Sequence, residues 1–309
     1  MTVALAAMLM VSNIVRAATE EPLSFTDARR FGAYGDNYGL FNIMNNTDWA
    51  GRDDWAVRAH YSFGYLFFVK NAWDVVGTYT GEFDFYIPRT SKPVINRLSN
   101  PALHLRWHSG EDVEANPKVN WPTGQGKVQI DLGVEHESDG QAVEVTTDVE
   151  RAAAQTAYDE KDYRFFDYVS RGANFVSLTA DWPQGFQAGR LTLPFALTLS
   201  VRKYWWQDYA ITWGPLAERK KNTLSDYHIG SIEWRRYQGN AGMFDVKWTL
   251  GMRGLATDSW DFSWCARNDA AMSLSIPLYV RLHIGPNNTL SNYSQRQDSI
   301  GVGLQFSSR

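Results

Sequence analysis

The chain is poor in cysteine, in long apolar runs and in charge imbalance. Its 309 residues contain a single cysteine, Cys265. One thiol excludes an internal disulfide and a cysteine-built zinc site, so Cys265 reads as a small packed residue. Lys and Arg number 30 against 34 Asp and Glu, a net charge of −4, which lacks the basic footprint of a nucleic-acid binder. Past residue 18 no apolar stretch approaches the roughly 20 residues that a membrane helix requires. If this part of the chain enters a membrane, it does so as a barrel.

Aromatic residues are plentiful. With 13 Trp, 15 Tyr and 16 Phe they make up 14% of the chain, yet the mean hydropathy is negative. That combination suits strands that are apolar on one side only. Trp55, Val57, Ala59, Tyr61, Phe63, Tyr65, Phe67 and Val69 form one such face, opposite Arg58, His60 and Ser62. Val75, Tyr79, Phe83 and Phe85 oppose Asp74, Thr78, Thr80, Glu82 and Asp84, and Leu103, Leu105 and Trp107 oppose His104, Arg106 and His108. Similar alternation runs through 191–201, 244–252, 272–284 and 300–306. With weaker segments around Tyr227–Trp234 and Trp260–Trp264, the sequence holds ten to twelve candidate strands. Many match the roughly 9–11 residues that cross a bilayer at a tilt. Long polar connections, aromatics near strand ends and the terminal Leu304-Gln305-Phe306 fit a membrane barrel. A secreted β-sandwich also alternates and is the competing architecture.

The first residues hold a short apolar core, Val3–Val11, followed by Val15-Arg16-Ala17-Ala18, a small-residue cleavage site. Residues 1–17 therefore read as a signal peptide. No Lys or Arg precedes the core, as if the true start lay further upstream. Residues 18–51 are polar and read as an N-terminal arm, and 52–309 as the barrel. Residues 141–169 form a long loop whose charged middle, Asp148–Tyr163, favours a short helix.

One strand breaks the pattern in an informative way. Val128, Ile130, Leu132 and Val134 form an apolar face, and continuing the alternation places His136 and Ser138 on it. Gln129, Asp131, Glu135 and Glu137 point the other way. Asn174 likewise continues the face of Val176, Leu178, Ala180 and Trp182. A Ser, a His and an Asn on the apolar faces of two neighbouring strands indicate a hydrolytic triad on a hydrophobic exterior, where the substrate would be a lipid. Ser138 is two residues from His136, so both side chains leave one face and can approach each other. The imidazole can then accept the hydroxyl proton during attack on an ester and return it to the leaving alcohol. Asn174 would fix the tautomer and orientation of the ring. A neutral Asn is also far less costly than a carboxylate on a lipid-facing surface.

His136-Glu137-Ser138-Asp139-Gly140 and Ser170-Arg171-Gly172-Ala173-Asn174 together resemble the signature of the bacterial outer-membrane phospholipase A family. Weaker likeness extends over roughly 32–306, through Asp36-Asn37-Tyr38, Trp73–Tyr79, Ser91-Lys92-Pro93 with Pro101, and Gly301-Val302-Gly303. The resemblance implies an all-β fold, an antiparallel transmembrane β-barrel of 12 strands, in the bacterial outer membrane. It implies hydrolysis of sn-1 and sn-2 acyl esters of phospholipids and lysophospholipids, with His136, Ser138 and Asn174 as the triad. It also implies an oxyanion donor at Gly140, and a calcium ion at the interface of an active homodimer. The matching calcium ligands are the carbonyls of Gln141 and Ser170, with the Ser91 side chain from the partner. Oxygen-only ligation is what a hard cation prefers. Four features depart from the family: Gln141 stands for a usual Arg, Gly172 for a usual Ser, Gly81 for a Gln usual on the dimer face, and a long connection from Gly140 to Ser170 for a short one, so that the two carbonyls need not converge on one ion.

The remaining polar groups have plainer readings. His104 and His108 belong to the lumen, and Glu82 and Asp84 to a polar filling rather than an acid–base pair. Trp205, Trp206, Tyr209 and Trp213 anchor at the bilayer surface. Two other functional readings stay open. A non-catalytic barrel, pore or scaffold, needs an open polar channel or nothing more. A soluble secreted esterase predicts extraction without detergent.

Overall fold

The computed structural model describes residues 31–46, 52–70, 72–87, 94–109, 128–141, 147–160, 162, 165, 167–183, 186–188, 191–193, 195–207, 223–238, 242–266, 278–290, 293–294 and 296–307. The strands are β1 (Phe31–Ala33), β2 (Asn37–Asn46), β3 (Arg52–Lys70), β4 (Trp73–Tyr86), β5 (Val94–His108), β6 (Gln129–Ser138) and β7 (Gly172–Trp182). After them come β8 (Phe186–Ala188), β9 (Leu191–Leu193), β10 (Ala196–Gln207), β11 (Gly230–Tyr237), β12 (Met243–Leu250), β13 (Ser259–Cys265), β14 (Leu278–Ile284) and β15 (Gln297–Ser307). Two α-helices are described, α1 (Asp148–Asp159) and α2 (Leu224–Tyr227), with a 3-10 turn at Gly254–Ala256. Neither is long and apolar enough to cross a membrane.

Twelve strands, β2 to β7 and β10 to β15, pair antiparallel in sequence order, and β15 closes onto β2. Strand β1 extends the line of β2 along β3, with Gly32 opposite Gly64. Closure removes the exposed edges that an open sheet would present. It also satisfies every ladder from within, which a spanning structure in hydrocarbon requires.

The stretch read as an N-terminal arm is partly wall. Residues Asn37–Asn46 form β2, paired on both sides, with Ile43 opposite Ile300 of β15 and opposite Trp55 of β3. Its alternation was hidden because Leu40 and Met44 point inward, where polar residues were expected, while Asn42 lies between them. The segment 191–201 also divides. Leu191–Leu193 pairs with β8 in a separate hairpin, and the wall resumes at Ala196. Pro194, lacking an N–H to donate, separates the two in sequence. Residues 1–17 and Met272–Ile276 lie outside the described residues.

The outer surface is the apolar one. Phe41, Trp55, Phe63, Phe85, Leu132 and Leu178 are all exposed, as expected of a surface solvated by lipid. The lumen is filled instead with charge pairs. Arg58 is fully buried and donates to both carboxylate oxygens of Asp84 at 2.8 Å and to Asn288 Oδ1 at 3.0 Å. Asp131 accepts from the Arg106 guanidinium at 3.0 Å and lies 2.6 Å from His104 Nδ1, while Asp261 joins Arg281 and His283. His104 and His108 are buried in this lumen, as the alternation predicts. Over one end of it Leu224 and Tyr227 of α2 pack with Leu290, Tyr293 and Ala173.

Candidate functional site

The site lies at that same end, where β6 and β7 reach their loops. Opposed pairs climb the outer face from Leu132 and Leu178 through Val134 and Val176 to His136 and Asn174, then to Ser138 and Gly172. The apolar pairs fix the register, since a one-residue slip would bury this whole face. The register alone therefore brings His136 and Asn174 together. His136 Nδ1 lies 2.8 Å from Asn174 Oδ1. An amide oxygen only accepts, so Nδ1 carries the proton and Nε2 keeps its lone pair. Ser138 lies about 6.6 Å further along the strand on the same face, a separation two side chains can span. All three side chains are half-buried.

The lumen side of the same strands is locked. Glu137, between His136 and Ser138, points inward and accepts from Arg202 of β10 at 3.2 Å. The Arg202 guanidinium also stands 4.4 Å from the ring of Phe175, which neighbours Asn174 and is fully buried. The side chains of His136, Ser138 and Asn174 thus sit on a wall held from behind by an ion pair and a cation–π contact.

The loop that follows is long, but its two ends are side by side. The Asp139 carboxylate is fully buried and accepts the Arg171 N–H at 2.8 Å and the Gln141 N–H at 3.4 Å. The Asp139 N–H donates in turn to the Arg171 carbonyl at 3.0 Å. One carboxylate therefore ties together the backbone of Gln141 and of the residue after Ser170. Gly140 has φ +53 and open space where a Cβ would stand. This left-handed backbone favours glycine and turns the chain sharply just past Ser138. Within the loop, Thr147 and Glu150 exchange hydrogen bonds in a capping box that starts α1, the helix expected from the charged stretch.

The structure joins His136 to Asn174 and sets Ser138 two residues further along the same face, with Gly140, Gln141 and Ser170 at the adjoining loop ends. Ser91, Tyr209 and Trp213 lie outside the described residues. Among the described residues no cluster of three or more His, Cys, Asp or Glu is disposed to hold a metal. That leaves untouched a site made of carbonyl and hydroxyl oxygens. Sequence reasoning missed two features. Asp139 was read as part of a motif and not as the tie across the loop. Trp205 and Trp206 were read as part of a loop, whereas they belong to β10 and straddle a register shift against β7.

No protein-family model and no curated protein sequence matches this chain. Solved structures do. The outer membrane phospholipase A of Escherichia coli is similar over 96% of this chain and 97% of its own, at 13% identity and a TM-score of 0.57. A second structure of that protein, an Asn-to-Ala active-site mutant, is similar over 94% and 95%, at 13% identity and a TM-score of 0.58. The Salmonella typhi outer membrane phospholipase dimer with bound calcium covers 93% and 95%, at 13% identity and a TM-score of 0.57. At this identity the likeness is one of fold.

Proposed function

We propose that this chain is an outer-membrane phospholipase that hydrolyses sn-1 and sn-2 acyl esters of phospholipids and lysophospholipids. The observation that carries the reading is the His136–Asn174 hydrogen bond on an otherwise apolar outer face, two residues from Ser138. A polar triad placed there is costly unless its substrate comes from the lipid. Ser138 attacks the ester carbonyl while His136 Nε2 takes its proton. The protonated ring, steadied through Nδ1 by Asn174, then delivers that proton to the leaving lysophospholipid or glycerol oxygen. Water repeats the cycle on the acyl-enzyme. The backbone N–H at Gly140 faces the oxyanion, a donor of a kind that contributes on the order of 3 kcal/mol to the barrier. In support, the E. coli protein of the same fold has an asparagine named in its active site.

Calcium fits the loop ends. The carbonyls of Gln141 and Ser170 are hard oxygen donors on two segments that Asp139 pins together, and Ser91 of a second copy would complete the set. When bound, the ion supplies positive charge beside the ester oxygen. The active form is then a homodimer, as the Salmonella structure is a dimer with bound calcium. A pore reading is disfavoured by a lumen closed with buried pairs such as Arg58–Asp84.

The test is fatty-acid release from phospholipid micelles by refolded protein, with calcium or chelator, beside Ser138→Ala. Release that depends on both Ser138 and calcium supports the reading. Release that survives Ser138→Ala moves the chemistry elsewhere, and no release from either protein leaves a non-catalytic barrel. Ser91→Ala with unchanged calcium response and full activity would remove the shared site.

A further inference from the structure

Strand β10 carries Trp205 and Trp206 side by side where a regular strand alternates. Against β7, Arg202 stands opposite Ser177 and Tyr204 opposite Phe175, both on the lumen side. The next pairs are Trp206 with Asn174 and Gln207 with Ala173, so Trp205 is the extra residue of a β-bulge. In an unbulged strand residue 206 would face Ala173 and point into the lumen. The bulge turns it onto the outer face instead, and Trp205 and Trp206 are each 47% exposed. Bulges beside active sites often re-aim a side chain in this way.

The turned indole lies over Gly172. A Cβ built on Gly172 would stand 3.4 Å from Cζ3 and 3.6 Å from Cη2 of Trp206. Gly172 is directly opposite Ser138, so the ring stands on the strand next to the nucleophile. At those distances a methyl on residue 172 would just touch the ring, and a longer side chain would displace it. Towards the membrane the outer face continues through Val176 and Leu178 of β7 and Val134 and Leu132 of β6. Lys203, opposite Val176, adds a charge whose long stem can carry it to the headgroup level.

We propose that Trp206 is a substrate-positioning residue whose indole forms the wall against which the acyl chain of the scissile ester lies, holding its carbonyl over Ser138. The inference rests on His136, Ser138 and Asn174 being the hydrolytic site. The occupant is the methylene chain beside the ester rather than the headgroup, because the exposed indole adjoins an apolar surface that continues through Val176, Leu178, Val134 and Leu132.

Kinetics in mixed micelles test this, with a long-chain phospholipid and a soluble butyryl ester as paired substrates. Trp206→Ala should lower kcat/KM on the long-chain lipid about tenfold, mostly through kcat, and spare the short ester to within about threefold. Trp206→Phe should recover most of the loss. Trp205→Ala, equally exposed on the same face, should stay within about twofold of wild type. Equal losses from Trp205→Ala and Trp206→Ala would mean bilayer anchoring and overturn the proposal. So would equal losses on both esters. Full activity in Ser138→Ala would instead overturn the site itself, a result independent of either tryptophan.

Discussion

His136 and Asn174 are directly opposed across β6 and β7, with the ring Nδ1 2.8 Å from the amide oxygen, on the face that meets lipid. The pairing is a property of register, so the two side chains are aligned by the same apolar contacts that build the wall. In the proposed mechanism Asn174 acts on orientation and not on proton transfer. Asn174→Ala should lower kcat by roughly 10²-fold, whereas Ser138→Ala and His136→Ala should each lower it by about 10³-fold or more. The double change Ser138→Ala with His136→Ala should cost no more than either alone. Steady-state release assays on detergent-refolded protein check both statements.

The Glu137–Arg202 pair behind His136 and Ser138 is a stability element. Its side chains are 11% and 18% exposed, so removing one partner strands a charge in the lumen. Arg202→Met should destabilise the barrel by about 3 kcal/mol in urea unfolding. Adding Glu137→Gln should return part of that loss, because the uncompensated carboxylate is gone. A double mutant that is as unstable as the sum of the singles would mean that the two groups do not interact.

Much of this was legible in the sequence, because a closed barrel in lipid imposes one rule on every strand. The alternation of Val57 with Arg58 and of Phe83 with Glu82 and Asp84 predicted both surfaces, and the lumen pairs bear it out. The rule also exposed His136, Ser138 and Asn174, since polar residues on the lipid side stand out. It failed where the lumen face is apolar, as at Leu40 and Met44 of β2, and the first wall strand was taken for an arm. It failed again where a bulge shifts the period, at Trp205. Ties made by backbone N–H groups, such as those on Asp139, leave no periodic trace at all.

Closure itself depends on a residue without a side chain. At Gly303 of β15 a Cβ would stand 1.8 Å from the carbonyl oxygen of Gly39 on β2. Neither backbone can yield without breaking the ladder that seals the barrel. Gly303→Ala should therefore fail to close, with a loss of at least several kcal/mol, as for other backbone clashes of this severity. Refolding yield in detergent, read by circular dichroism and protease resistance, should drop sharply. By contrast Gly140→Ala meets open space and should fold, at a cost of about 1 kcal/mol for its left-handed backbone.

Asp139 joins the two loop ends that are proposed to hold calcium, and this separates metal binding from the triad. Asp139→Ala leaves the Arg171 N–H without its buried acceptor, a loss of about 2 kcal/mol for a charge-assisted bond. The His136–Asn174 hydrogen bond does not involve that carboxylate and should be unaffected. The expected result is a calcium titration of fatty-acid release displaced to about tenfold higher concentration, with the rate at saturating calcium close to wild type. Asp139→Asn, which keeps an acceptor oxygen, should fall between the two. If Asp139→Ala lowers the saturated rate while leaving the midpoint in place, the carboxylate serves the nucleophile and not the metal.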